Sequence, residues 1–458
     1  MIATLMLLVA PPLVPVQGPF SEGPALGFDR VTQTDIVGGG MTLDEIRAAG
    51  LVMFATPFNK EDGFGDGPMN AFDPTSPGGR PTLQDNGLAL RVNGLDAQSC
   101  IECHFVGSNA TVPFTFAVGG VGGVSANVMA GPTEIDVDAS FNGSFAFFNG
   151  RFINPPFVFG SGGVELAAKE MTNDLNGLKA RAKQQPGTPI ALITKGVQFG
   201  RITWIDGVGF DTSEVRGIDD DLVVRPFGRK GEFATVRDFA RGAMPFHFGM
   251  QPVEVVGADV DDDGDGVDNE VLVGEMSALH IFCTNVERPI EKPDPFTVLG
   301  KNLFSRIGCA ACHKPFLDTS SKVLPYSHPE VAEDPFANIY YGVDLAASTA
   351  GFDVNPSGGI RVPLYSDLRR HKMGPDLAES TGTELDDQFI TARLWGVADT
   401  APYLHDGRAA TLTEAILMHG GAAQRSRDAF VSISDADKEL LLDFLRSLRA
   451  PDKPADDL

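Results

Sequence analysis

Two short runs, Cys100-Ile101-Glu102-Cys103-His104 and Cys309-Ala310-Ala311-Cys312-His313, repeat one pattern: two cysteines separated by two residues, then histidine at once. Together they take four of the five cysteines in 458 residues. This is the spacing of covalent c-type haem attachment. Two thiols on one short helix reach the two vinyl groups, and the next histidine falls beneath the iron as proximal ligand. Zinc is the competing reading, because Cys-x-x-Cys also opens zinc sites. A structural zinc usually takes a second close pair of Cys or His, and neither run has such a pair within about twenty residues downstream. The chain therefore reads as a di-haem cytochrome c with two covalently bound haems, and any fold it adopts must build a haem pocket around each run.

The length allows two or three domains, each with its own core. With 36 Lys plus Arg against 61 Asp plus Glu, the formal charge is −25, which argues against nucleic acid or an anionic membrane as partner. A basic redox partner is compatible with that charge, and so is an acidity that serves solubility alone. Residues 1–18 carry the apolar run Ile2 to Ala10, which has the length of a signal h-region and is too short to span a bilayer. It lacks a positive leader; a surface strand is the other reading. No other stretch reaches 18 apolar residues, so no membrane span is expected. Haem attachment of this kind is normally completed outside the bacterial cytoplasm, which points to a periplasmic or secreted protein.

Glycine (52) and proline (32) are abundant, and residues 56–82 and 106–163 read as irregular structure with short strand-like runs such as 111–118. The clearest helix is the last. Ser434 caps it with Asp437 three residues on; Leu440, Leu441, Phe444, Leu445 and Leu448 follow at helical spacing, and Pro451 stops it. A second copy of that ending runs from Ser277 through Phe282 and Cys283 to Pro289, with Phe282 seven residues before its proline as Phe444 is before Pro451. In this register Cys283 matches Leu445 and reads as a buried thiol, while His280 matches Leu442 and reads as a helix-flank residue. A third pair, Ala234-Thr235-Val236 with Asp238 and Ala410-Thr411-Leu412 with Glu414, opens a short helix after each haem run. The expected fold is mainly α with extensive loops and a few short strands, in two cytochrome c-like domains related by internal duplication. Residues 19–290 form the first, with insertions, and 291–458 the second; the Pro-rich linker near 290 divides them.

The iron's far side separates electron transfer from catalysis. The helix opened by Thr411 runs to His419 and stops at Gly420-Gly421. His419 is the proposed distal ligand of the Cys309/Cys312 haem, with Met418 and Met373 as other candidates. In the first half the matching helix leads into Met244-Pro245-Phe246-His247-Phe248-Gly249-Met250. There His247 either ligates the first iron, or stands over an open site and handles protons, or is a pocket histidine without iron contact.

Residues 259–270 fit the calcium pattern D-x-[DN]-x-[DN]-G-x5-E at every specified position. Asp259, Asp261, Asp263, Asp265 and Glu270 would supply oxygen ligands. Gly266 stands where such loops usually carry an apolar residue, and 251–257 does not read as a helix, so a calcium loop between a strand and a helix is expected rather than a helix-loop-helix hand.

The run Tyr365-Ser366-Asp367-Leu368 to His371-Lys372-Met373-Gly374-Pro375, then Leu394-Trp395-Gly396 and Ala401-Pro402-Tyr403-Leu404-His405-Asp406-Gly407-Arg408, ending at Met418-His419-Gly420, resembles the peroxidase-type di-haem oxidoreductase family. That family is related to bacterial di-haem cytochrome c peroxidase and to the methylamine-dehydrogenase maturation enzyme. The resemblance is specific over about 300–425 and looser over 95–290. It implies that His104 holds the haem that reacts with peroxide and that His313 holds the haem passing electrons to it. The distal position fourteen residues beyond His405 is Met in the peroxidases and Tyr in the maturation enzyme. Here it is His419, which implies a bis-histidine haem of lower potential than a His/Met one.

Phe147-Phe148-Asn149-Gly150-Arg151 is similar to the family's Phe-Trp-Asp-Gly-Arg, with Phe148 replacing the tryptophan between the haems and Arg151 as the retained arginine. Trp395 and Trp204 read as core residues. The catalytic carboxylate has Glu165 and Glu170 as candidates. The implied function is a peroxidase-type oxidoreductase acting on hydrogen peroxide, or on a small organic or protein substrate. An external partner such as a small cytochrome or copper protein would supply its electrons. The rival reading is an electron-transfer cytochrome with both irons six-coordinate.

Overall fold

The computed structural model describes residues 23–65, 97–104, 154–379 and 383–452, with the backbone of two paired strands, Glu134–Asp136 and Phe145–Phe147. Arg151, Phe148, the strand-like run 111–118 and residues 1–18 lie outside the described residues. Among the described residues ten α-helices carry most of the regular structure. They are α1 (Gln33–Val37), α2 (Leu43–Ala55), α3 (Ser161–Gln184), α4 (Val236–Ala243), α5 (Val253–Val256), α6 (Val273–Thr284), α7 (Pro295–Arg306), α8 (Leu412–Leu417), α9 (Gln424–Ser432) and α10 (Asp435–Arg446). Strands are short and pair in twos, apart from one three-stranded antiparallel sheet of Ile190–Thr194, Val197–Ile205 and Gly209–Asp211. The expectation of a mainly helical chain with short strands is met.

One helix crossing organises each half. α2 crosses α6 at Gly50, where a Cβ would stand 2.2 Å from the Ala278 carbonyl oxygen and 2.4 Å from Phe282 Cβ. α7 crosses α10 at Gly300, where a Cβ would stand 1.9 Å from the Leu440 carbonyl oxygen and 2.8 Å from Phe444 Cβ. Only glycine lets two backbones approach this closely. Phe282 and Phe444 thus lie against a glycine of the crossing helix in the same way.

Local signals place the ends. Ser434 accepts the Asp437 amide at the start of α10, and Leu441, Leu442, Phe444 and Leu445 are buried along one face. Leu448 leaves the helix and pairs, as Leu448–Arg449, with the strand Ile290–Glu291. Thr235 caps α4 and Thr411 caps α8, each accepting the amide of the acidic residue three positions on. An isolated antiparallel bridge precedes each cap, Phe227 to Phe233 and Tyr403 to Ala409.

Three readings of the sequence are corrected. The glycine-rich stretch read as irregular to 163 gives way at Ser161 to α3, the 24-residue helix on which the largest core is built. Gly162 and Gly163 disfavour a helix locally, yet a Cβ at either would meet the Thr284 carbonyl oxygen at 2.1 Å or the Phe352 ring at 2.4 Å, so close packing outweighs propensity. His280 is no flank residue: it is 0 % exposed. Within 251–257, Val253–Val256 forms a single helical turn, capped by Pro252 and closed by Gly257.

Candidate haem sites

Both Cys-x-x-Cys-His runs fold alike. Cys100–Glu102 and Cys309–Ala311 are single 3-10 turns, closed by the His104 amide on the Cys100 carbonyl (2.8 Å) and the His313 amide on the Cys309 carbonyl (3.0 Å). Each histidine then fixes its ring against a carbonyl 52 residues further along the chain, His104 Nδ1 on Pro156 (2.7 Å) and His313 Nδ1 on Tyr365 (3.1 Å). A proton held on Nδ1 leaves the Nε2 lone pair for a metal.

Each run sits at the edge of its own apolar cluster. Met53, Phe58, Phe159, Met244 and Phe248 lie about Cys100 and Cys103. Phe304, Tyr365, Val397 and Phe444 lie about Cys309. Burial pushes the Cys100 thiol up to about 12 and Cys309 up to about 11, so neither is an acidic, reactive thiolate. Cys283, buried beside Cys100, is likewise raised by burial and is a core thiol, as its register with Leu445 led one to expect.

The distal candidates differ between the halves. The His419 ring faces the His313 ring with centroids 6.3 Å apart, and its Nδ1 donates to the Ala415 carbonyl (2.7 Å). Two imidazoles bound across one iron, at about 2 Å per metal–nitrogen bond, put their centroids at roughly this separation. Burial, and then the neighbouring His419, lowers His313 to about 4; burial lowers His419 as well. Both imidazoles are neutral donors at neutral pH. In the first half α4 passes into a π-turn, Met244–Phe248, that carries the half-buried His247 between Phe246 (4.8 Å) and Phe248 (6.2 Å). Phe239 of α4 stands edge-on to His104 at 6.0 Å. His104 is lowered by burial, with a smaller push from the charge of His247. The donor chemistry in both halves, paired thiols, a neutral Nε2 and an apolar wall, fits a c-type haem.

The two carboxylate candidates are locked in place. Glu165 is 0 % exposed and accepts from His280 Nε2 (2.9 Å), Lys169 Nζ (3.1 Å) and the Val236 amide (3.0 Å) at the start of α4. Burial alone would raise it, but these partners outweigh burial and hold it at about 2. Glu330, pushed up by burial, completes the cluster. Glu170 pairs with Lys195 (2.5 Å) and accepts the Ser320 and Ser321 amides, tying α3 to the second half. Trp395 is buried against Phe352, and Trp204 Nε1 donates to Asp206 (3.0 Å); both serve the scaffold.

In the acidic loop Asp261, Asp263 and Asp265 bring carboxylate oxygens within 4.8 Å of one another. Asp261 accepts the amides of Gly264 (2.7 Å) and Gly266 (3.1 Å), glycines at φ 75° and 95°. Asp259 turns to Asn269 instead (2.9 Å), and Glu270 accepts the Gln251 amide (2.7 Å).

Sequence reasoning did not single out His371, which lies beside the second Cys-x-x-Cys-His run. Its Nε2 meets Asp367 at 2.9 Å and its Nδ1 lies 3.9 Å from Cys312 Sγ. Burial opposes its charge, but Asp367 and Cys312 raise it to about 9. The four-residue spacing within Ser366-Asp367-Leu368-x-x-His371 was the available signal.

Residues 354–448 match the family model described as "Di-haem oxidoreductase, putative peroxidase". That segment carries His405, His419 and α10, and the resemblance to the peroxidase-type di-haem oxidoreductases read from the sequence is borne out there. Among solved structures, hydrazine synthase from Kuenenia stuttgartiensis matches at 17 % identity over 56 % of this chain and 78 % of its own, with a TM-score of 0.28. A MauG-like protein associated with microbial copper homeostasis matches at 18 % identity over 49 % and 68 %, with a TM-score of 0.27. No curated protein matches the chain. No helix among the described residues is long and apolar enough to cross a membrane.

Proposed function

We propose that this chain is a periplasmic or secreted di-haem c-type oxidoreductase of the peroxidase type, with an N-terminal haem domain over residues 19–290 and a duplicated C-terminal one over 291–458. The observation that carries the reading is the asymmetry of the distal sides. In the capped-helix register that pairs Thr235 with Thr411, the counterpart of His419 is Ala243. His247 comes four residues later, inside a π-turn.

Cys100, Cys103 and His104 would hold the reactive haem; Cys309, Cys312, His313 and His419 would hold a closed, bis-histidine electron-transfer haem. The haems, when bound, supply the redox chemistry. The chain supplies neutral imidazoles, apolar walls and, at His247, a group that can move a proton to the substrate oxygen. Peroxide reduction takes up two electrons and two protons and gives two waters. Glu165, held ionised, keeps its place as the carboxylate that orders the start of α4; the retained Arg151 is the remaining catalytic candidate. The Asp261–Asp263–Asp265 group is the proposed calcium site. It would hold the segment leading into α6.

Anaerobic mixing of fully reduced protein with hydrogen peroxide tests the activity. One peroxide consumed per two haems oxidised is the expected stoichiometry. Protein that stays reduced on this timescale would favour the electron-carrier reading, in which His247 closes the first iron.

A further inference from the structure

Arg393 is a cation without an anion. It follows Ala392, whose backbone lies against the His313 ring, and its guanidinium carbon lies 5.8 Å from the centroid of Phe227. The paired arginines Arg225 and Arg361 are pushed up by Asp221 and Asp318 respectively. Arg393 is pushed down to about 10, and burial alone does it. Among the described residues it enters no ion pair, in a chain with 61 acidic residues. Arg393 is half-buried, and a cation partly withdrawn from water is favoured where an anion and hydrogen-bond acceptors meet it; the facing ring adds only a weak attraction.

The position says what the anion is. On one side of Arg393 stands the His313 site. On the other, Phe227 bridges to Phe233, Phe233 packs edge-on against Phe239 (5.2 Å), and Phe239 stands over His104 (6.0 Å). Arg393 therefore occupies the interval between the two haem sites. The planar guanidinium fork suits a carboxylate, which it can grip with two parallel hydrogen bonds.

We infer that Arg393 binds a propionate carboxylate of a haem, directed into the interval between the His313 and His104 sites, and so sets that haem's potential. The inference rests on the di-haem reading above. A positive charge beside a haem disfavours its ferric form, so removing the arginine lowers the potential, and a carboxylate left unpaired lowers it further.

The test is a spectroelectrochemical titration of both haems in wild type, Arg393→Gln and Arg393→Lys, after a count of covalent haem per chain. Fewer than two haems in the wild type removes the di-haem reading and this inference with it. With two haems present, Arg393→Gln should make one of them at least tenfold easier to oxidise, 59 mV for a one-electron couple. The His313 haem moving assigns the propionate to that cofactor; the His104 haem moving assigns it to the other. Both potentials unmoved, with haem content and circular dichroism intact, overturns the inference and leaves the di-haem reading standing. Should Arg393→Gln fail to accumulate, Arg393→Lys asks the same question: an ammonium cannot grip a carboxylate with two parallel hydrogen bonds, so one potential should still fall, and both potentials matching wild type counts against the propionate.

Discussion

The two halves of this molecule repeat a frame and diverge at the iron's far side. Both cross two helices at a glycine, Gly50 under Phe282 and Gly300 under Phe444. Both close a Cys-x-x-Cys-His turn and brace its histidine on a carbonyl 52 residues on. The second half then sets His419 opposite His313 at 6.3 Å, whereas the first bends α4 into a π-turn around His247. Helix crossing and the closing of a Cys-x-x-Cys-His turn are packing problems with one solution, so they recur. Distal ligation decides whether a haem passes electrons or meets substrate, and there the halves part.

The comparison is broken most sharply at the distal histidines. In His419→Ala the C-terminal haem should lose one axial ligand and convert from low to high spin. Turnover should fall by at least the roughly tenfold that even outer-shell changes at metal sites cost. His247→Ala should leave that haem's spectrum untouched and alter only peroxide turnover. Absorption and stopped-flow measurements on the two variants check this, and a change at the His313 haem in His247→Ala would contradict the assignment.

One helix position also distinguishes the halves: His280 in α6 matches Leu442 in α10, and only the former faces a buried carboxylate. Glu165→Gln leaves Lys169 and His280 without their anion and should cost about 3–5 kcal/mol in chemical denaturation. The folded pKa of Glu165, about 2, lies below its ordinary 4.5. Its stabilisation is therefore complete above about pH 4.5 and is lost as pH falls toward 2, on the order of 3 kcal/mol in all. A denaturation series from pH 5 to pH 2.5 should flatten in the Gln variant relative to wild type.

The shared frame predicts matched losses. Gly50→Ala and Gly300→Ala should each destabilise by about 1–3 kcal/mol through overpacking. Tolerance of alanine at one site but not the other would sink the idea that the crossings are equivalent. The smallest expected effect concerns the loop that the first half alone carries. Asp263→Asn should weaken calcium binding about tenfold, 1.4 kcal/mol, by calorimetric titration of chelator-treated protein. No binding heat in the wild type would remove the site.

Much of this architecture was legible in the sequence because it is written locally. The haem runs, the Ser434 and Thr411 caps, and His419 before a glycine pair all announce themselves within a few residues. α3 was hidden because its first turn is Ser161-Gly162-Gly163, which reads as loop until Thr284 and Phe352 are known to press against it. His280 and Glu165 lie 115 residues apart, so their pairing leaves no periodic trace. Arg393 was invisible for the opposite reason: its meaning lies in the partner it lacks among the described residues, which no spacing can express.

The central claim, one closed haem and one reactive haem, is met most directly by the electron paramagnetic resonance spectrum of the oxidised protein before and after half-reduction. A low-spin ferric signal from the His313 haem beside a high-spin ferric signal from the His104 haem, the latter appearing no later than half-reduction, is the predicted result. Low-spin signals alone, both before and after half-reduction, would contradict it.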